Sequence, residues 1–242
     1  MNINDINRKI FIHIPKNGGM TIRHPTSILR SNIIIPRQNT LISNDYLTAF
    51  TKRMKEVKQP NIPAEHARWR DLNLSLRSAH QSFAIVRNPW DRVVSRYMFK
   101  AIQTPGYLEN TPFEKFLEER HEFVGEARSF TWHLAVKGWF PAYDYVTDNN
   151  GNIQCDIIRF GHMNEDICKY FNLVKGTKLY IRNVSNGEKS ENKTTVVNRK
   201  PYQEFYNDKT IQIVADWYKD DINTWGFDFD SEATKNYWNK EN

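Results

Sequence analysis

Residues Lys9 to Thr21 read KIFIHIPKNGGMT, and this stretch constrains the fold more than any other. An apolar run that stops at a proline behaves as a short buried strand, here KIFIHI from Lys9 to Ile14, feeding a loop at Pro15. A glycine-containing loop between a strand and a helix brings backbone N–H groups and a helix N-terminus to one point. That geometry attracts phosphate-like anions. The nucleotide-triphosphate pattern GxxxxGK[ST] is absent. Instead Lys16 comes first, followed by Asn17, Gly18, Gly19, Met20 and Thr21. Glycines let the backbone approach an anion, and Thr21 adds a hydroxyl donor. A lysine at the loop entrance can reach a bond being broken rather than grip a terminal phosphate. Alone, the stretch is equally compatible with a structural Gly-Gly turn.

A second segment bears on that choice. FAIVR, from Phe83 to Arg87, reads as another buried strand. Asn88-Pro89 then opens a helix, with Asn as N-cap and Pro at the first helical position. Val93, Val94, Tyr97 and Ala101 recur at helical spacing, so one face of this helix belongs to the core. Ser95 lies eight residues after Arg87, about two turns into the helix. A guanidinium and a hydroxyl at that separation can converge on one phosphate. Taken singly, a structural ion pair for Arg87 and a surface hydroxyl for Ser95 are the plainer readings.

The rest of the chain points to α/β architecture. Thr111-Pro112-Phe113-Glu114 is a capping box ahead of a helix with Phe113, Phe116 and Leu117 inward. AYDYVTDNNGNIQCDIIRF predicts two strands around the turn residues Asp148 to Gly151. Asn164-Glu165-Asp166 opens a short helix, and Ile211, Val214, Ala215, Tyr218 and Ile222 mark an amphipathic one. Residues 183–200 are polar and basic, as in a loop. The expected fold is a P-loop-like three-layer α/β arrangement, a central parallel sheet flanked by helices, in one domain over residues 1–242.

Charge and cysteine content narrow the function classes. The 34 Lys+Arg against 28 Asp+Glu give +6, which leans toward anionic ligands without choosing among them. Two cysteines, Cys155 and Cys168, with no CxxC exclude a disulfide framework and argue against zinc. Neither a signal h-region nor a membrane-length apolar run is seen, so a soluble, cytoplasmic or otherwise intracellular protein without stable membrane insertion is expected. Nothing in the composition specifies an oligomeric state.

HIPKNGG together with FAIVRNPWDRVVSRY resembles the carbohydrate sulfotransferases related to heparan sulfate 2-O-sulfotransferases. The resemblance implies 3′-phosphoadenosine 5′-phosphosulfate (PAPS) as sulfuryl donor, 3′-phosphoadenosine 5′-phosphate (PAP) as product, and no metal. It places Pro15 to Thr21 on the donor's 5′-phosphosulfate, with Lys16 where the family has its catalytic lysine. Arg87 and Ser95 match the pair that binds the 3′-phosphate. CDIIRF (Cys155 to Phe160) is similar to a family strand, and LYIRNVS to a loop that puts Asn183 and Ser185 near the donor. YKDDINTWGFDF resembles the closing helix, so the resemblance spans most of the chain. Three departures stand out. Met20 replaces a hydroxyl residue, Pro25 makes the first helix short, kinked or delayed, and Gly161 replaces an acidic residue after Arg159-Phe160.

Sulfuryl transfer parallels phosphoryl transfer, with in-line attack and charge building on the leaving oxygen. Lys16 and the amides of residues 17 to 21 are placed to stabilise that charge. The acceptor hydroxyl needs a base near neutral pH, for which histidine is suited. Of seven histidines, His66 lies 21 residues ahead of Arg87, and EHARWRDLN resembles the family's histidine-bearing helix start. His66 is the candidate base, with a structural or acceptor-binding role as the alternative; Glu65 and His80 are the other candidates. His13 is a strand residue behind the loop. Trp132, Trp139, Phe140 and Tyr143 are either a platform for a sugar ring or core. Lys189, Lys193, Arg199 and Lys200 either touch an acidic ligand or are solvated. The acceptor expected is a saccharide or another hydroxyl-bearing molecule. The rivals are a magnesium-dependent P-loop kinase and a non-catalytic module for nucleotides or polyanions; no nucleic-acid motif is present.

Overall fold

The computed structural model describes residues 8–36, 39–56, 66–124, 139–179 and 200–237. Strands β1 (Lys9–Ile12), β2 (Ile33–Ile34), β3 (Ser82–Val86) and β4 (Asp156–Arg159) form one sheet in the order β2-β1-β3-β4, with every pairing parallel. Parallel neighbours need crossovers, and helices supply them. Between β1 and β2 lies α1 (Gly19–Arg23); before β3 come α2 (Asn44–Glu56) and α3 (Leu74–Ala79). After β3 follow α4 (Pro89–Gln103), α5 (Tyr107–Asn110), α6 (Phe113–Val124) and α7 (Ala142–Val146). The chain then adds α8 (Met163–Tyr170), α9 (Asp208–Trp217) and α10 (Lys219–Trp225). This is the α/β layering expected from the sequence.

Alternation along the strands builds the layers. Ile10, Ile12, Ala84 and Val86 enter one core with Trp90, Val94 and Tyr218, while Phe11, Phe83, Ile85 and Ile158 enter another with Ile22, Met163 and Ile167. Both faces of the sheet are therefore covered, as all-parallel sheets require. α4 starts as the sequence implies. The Asn88 side-chain oxygen accepts from the N–H groups of Trp90 (3.0 Å) and Asp91 (3.3 Å), with Pro89 in the first turn. Val93, Val94 and Tyr97 are buried. α1 is short and ends at His24, directly before Pro25.

Several boundaries differ from the sequence reading. AYDYV is not a strand but α7, because Pro141 precedes it and the Asp221 carboxylate accepts its first N–H groups, Ala142 and Tyr143, each at 2.8 Å. Ala142, Tyr145 and Val146 then point into the core at helical spacing. The expected hairpin shrinks to a single bridge, Thr147 to Ile153, and the true strand β4 pairs in parallel with β3. β1 stops at Ile12 rather than Ile14, and α8 opens one residue before Asn164. The terminal amphipathic stretch breaks at Tyr218 into α9 and α10, with Val214 and Tyr218 fully in the core. Burial pushes the Asp221 carboxyl up to about 7, opposed by nearby Arg92 and by the two N–H donors. Among the described residues no helix is long and apolar enough to cross a membrane.

Candidate active site

In an open parallel sheet, ligands bind beyond the carboxyl ends of the strands, where the strand order reverses. Here that point lies between β1 and β3, since the chain leaves β1 for β2 on one side and β3 lies on the other. The two segments singled out in the sequence exit there. Residues 13–18 follow β1, and Arg87-Asn88 follows β3.

The loop after β1 is held from outside. Fully buried Arg92 donates Nε to the Pro15 carbonyl (3.1 Å) and Nη1 to the Phe140 carbonyl (2.7 Å). The Asn17 side chain turns down to the Ile85 carbonyl (2.7 Å), tying the loop to β3. Gly18 adopts φ +78°, and a Cβ there would lie 2.5 Å from the Met163 methyl. Gly19 opens α1, and a Cβ there would fall 2.0 Å from the His13 ring. Both glycines are thus needed for packing, whatever anion the loop meets. Thr21 is buried on α1, and its N–H donates to the Gly18 carbonyl at 3.0 Å. The Met20 sulfur accepts from Arg23 Nε at 3.0 Å, so this unexpected residue engages its own helix.

Lys16 itself has φ +68°, a left-handed conformation that costs a non-glycine residue about 1 kcal/mol or more. Arg87 donates Nη1 to the Lys16 carbonyl at 3.0 Å and so braces that conformation. The same guanidinium pairs through Nε with Asp91 at 2.5 Å and lies over the Phe160 ring at 4.2 Å. The Lys16 ammonium sits 4.0 Å from the centroid of Phe99, on the third turn of α4. Ser95 is half-buried on the turn before.

His66 reaches the same place from a different part of the chain. Its Nδ1 donates to the carbonyl of His13 at 2.9 Å, and the two imidazole rings lie 4.4 Å apart. A carbonyl can only accept, so Nδ1 carries the proton and Nε2 is the basic nitrogen of the neutral ring. Behind His66, Ala67 is buried, and Arg68 grips Asp71 through two N–H···O bonds of 2.6 and 3.0 Å. His80, by contrast, bonds the carbonyl of Arg8 at 2.9 Å, at the amino end of β1. It stands at the opposite end of the sheet from Lys16, which removes it as a candidate base. Trp139 and Phe140 are buried, so these two are core and not a sugar platform, while half-buried Tyr143 packs against that core and donates its hydroxyl to the Gly151 carbonyl.

The family model for sulfotransferases matches residues 1–228. The chain belongs to the sulfotransferase family. Neither the curated proteins nor the solved structures gave a match. In this sulfotransferase Asn183, Ser185, Glu65, Trp132, Lys189, Lys193 and Arg199 lie outside the described residues; Lys200 is exposed.

Three residues of the site escaped sequence reasoning. Arg92 sits among core-facing positions of α4, where a charge has to find backbone acceptors. Phe99 was hidden in the same helical pattern. Glu232 comes from the C-terminal segment to accept from the Gly161 N–H, where a Cβ would stand 2.6 Å from its Oε1. Burial raises the Glu232 carboxyl, with Asp91 raising it further and Arg87 and His162 opposing. The missing acidic side chain at Gly161 was the one sequence hint that a carboxylate had to come from elsewhere.

Proposed function

We propose that this sulfotransferase takes its sulfuryl group from PAPS and passes it to a hydroxyl of a saccharide. The reading rests on one observation: a lysine held in a left-handed conformation at the switch point, braced by Arg87 and backed by His66. The loop from Pro15 to Thr21 receives the 5′-phosphosulfate. Arg87, through the part of its fork not engaged by Asp91 and Lys16, binds the 3′-phosphate together with Ser95. Asn183 and Ser185 join the donor site on the strength of the family resemblance alone.

In the reaction the acceptor oxygen attacks sulfur in line, the bond from sulfur to the bridging oxygen breaks, and PAP leaves. His66 Nε2 takes the hydroxyl proton, its tautomer fixed by the His13 carbonyl. The Lys16 ammonium hydrogen-bonds the bridging oxygen as charge collects there. A sulfuryl group carries less negative charge than a phosphoryl group, so one well-placed cation goes far toward balancing the transition state.

Lys16→Ala should lower transfer from labelled PAPS to a panel of oligosaccharides by about 10²- to 10³-fold. Calorimetry on the same variant should show PAP affinity within a few-fold of the parent. Undiminished transfer would remove Lys16 from the chemistry. A parent protein that fails to bind PAP would overturn the whole reading.

A further inference from the structure

We infer that Phe99 is a positioning residue for the Lys16 ammonium, resting on the reading of Lys16 given above. Phe99 follows Ser95 by four residues on α4, so the two share one helix face a turn apart. Its ring is 45% exposed on a helix whose other aromatic residues, Trp90 and Tyr97, are buried, and Ile102 beside it is 46% exposed. Core packing therefore does not explain Phe99. What touches it is Lys16 Nζ, 4.0 Å from the ring centroid, well inside the range of a cation–π contact.

The chemistry asks for such a partner. Lysine has four rotatable side-chain bonds, and a left-handed backbone at Lys16 fixes only where that side chain starts. A carboxylate could hold the ammonium, but it would neutralise the charge the leaving oxygen needs and repel an anionic donor. An aromatic face attracts the cation, leaves its charge in place and favours the protonated form. The attraction is weak enough for a developing oxyanion to draw the ammonium away. Arg87 on the Lys16 carbonyl and Phe99 on its ammonium thus fix the two ends of one residue.

The test compares Phe99→Leu with Phe99→Tyr, reading release of labelled sulfate from PAPS to water, which needs no acceptor. Phe99→Leu should lower kcat about fivefold, with KM for PAPS, PAP affinity and Tm unchanged. Phe99→Tyr should restore kcat. Spectra of protein labelled with 13C-lysine supply a readout independent of turnover. The ring-current shift on the Lys16 ε-methylene should vanish in Phe99→Leu and persist in Phe99→Tyr. A Leu variant with parental kcat, a Tyr variant as slow as Leu, or no ring-current shift in the parent each overturns the proposal. Lys16→Ala separates the two readings. If Lys16→Ala abolishes turnover while Phe99→Leu leaves it untouched, only the positioning role falls; if Lys16→Ala retains turnover, the role of Lys16 falls first.

Discussion

The two segments that leave the sheet at the switch point are held in opposite ways. The exit from β3 is capped by its own residues. Asn88 caps α4 with its own side chain, Pro89 supplies a preset φ, and the helix runs on without positive-φ residues. The exit from β1 is strained at Lys16, turns through a left-handed Gly18, and has its geometry imposed from elsewhere. Arg92 holds Pro15, Arg87 holds Lys16, Ile85 receives Asn17, and His13 fills the space under Gly19. Strain persists only where surroundings over-determine it, and strained residues cluster at functional sites. The difference teaches that the β3 exit works as scaffold and the β1 loop as the part being positioned.

The largest break in this contrast should come from Arg92→Met. It removes a buried cation and leaves the Pro15 and Phe140 carbonyls without these N–H donors, and Asp221 without a facing positive charge. A loss of about 3 to 5 kcal/mol is expected, read as a fall in the urea midpoint at unchanged slope. A loss under about 1 kcal/mol would mean the β1 loop holds itself. Next comes Gly19→Ala. The added methyl must displace the His13 ring, which lies between Phe11 (5.6 Å) and His66 (4.4 Å). We expect about 3 kcal/mol of destabilisation, shrinking to about 1 kcal/mol when measured in a His13→Ala background. Equal losses in both backgrounds would show that the ring is not what the glycine accommodates.

The same contrast explains what was legible in the sequence. The β3 exit was readable because its stabilising groups are neighbours: Asn88, Pro89 and the apolar spacing that follows. β1, β3, the α4 cap and the parallel α/β layering came from such local patterns. α7 was misread because the group that makes AYDYV a helix, Asp221, lies 79 residues from Ala142. At the site, Lys16, Arg87 and His66 were named from motif and resemblance. Their mutual arrangement was not, because it depends on backbone carbonyls at Pro15, Lys16 and His13 that every residue type possesses. Arg92 and Glu232 act through such long-range partners, and the exposure of Phe99 depends on what fails to pack against it. The choice between sugar platform and core stays open in the sequence for the complementary reason. Trp139 and Phe140 can be placed in the core only once the elements that bury them are in place.

The smallest effect should fall on the locally capped side. Asn88 has two jobs, since its oxygen caps α4 while its Nδ2 donates to the carbonyls of Asp228 (2.9 Å) and Ser231 (2.9 Å) in the C-terminal segment. Asn88→Ala removes both and should cost about 1 to 2 kcal/mol, within the range of a lost cap. Asn88→Asp keeps an oxygen for Trp90 and Asp91 and places negative charge at the helix N-terminus, where it is favourable. It cannot donate to the segment carrying Glu232. If the cap dominates, the Asp variant melts near the parent and the Ala variant does not. If the tail contacts dominate, the two melt together, and hydrogen exchange should quicken across residues 228–233 in both. A loss in Asn88→Ala as large as that in Arg92→Met would erase the contrast, because the β3 exit would then depend on distant partners as heavily as the β1 loop does.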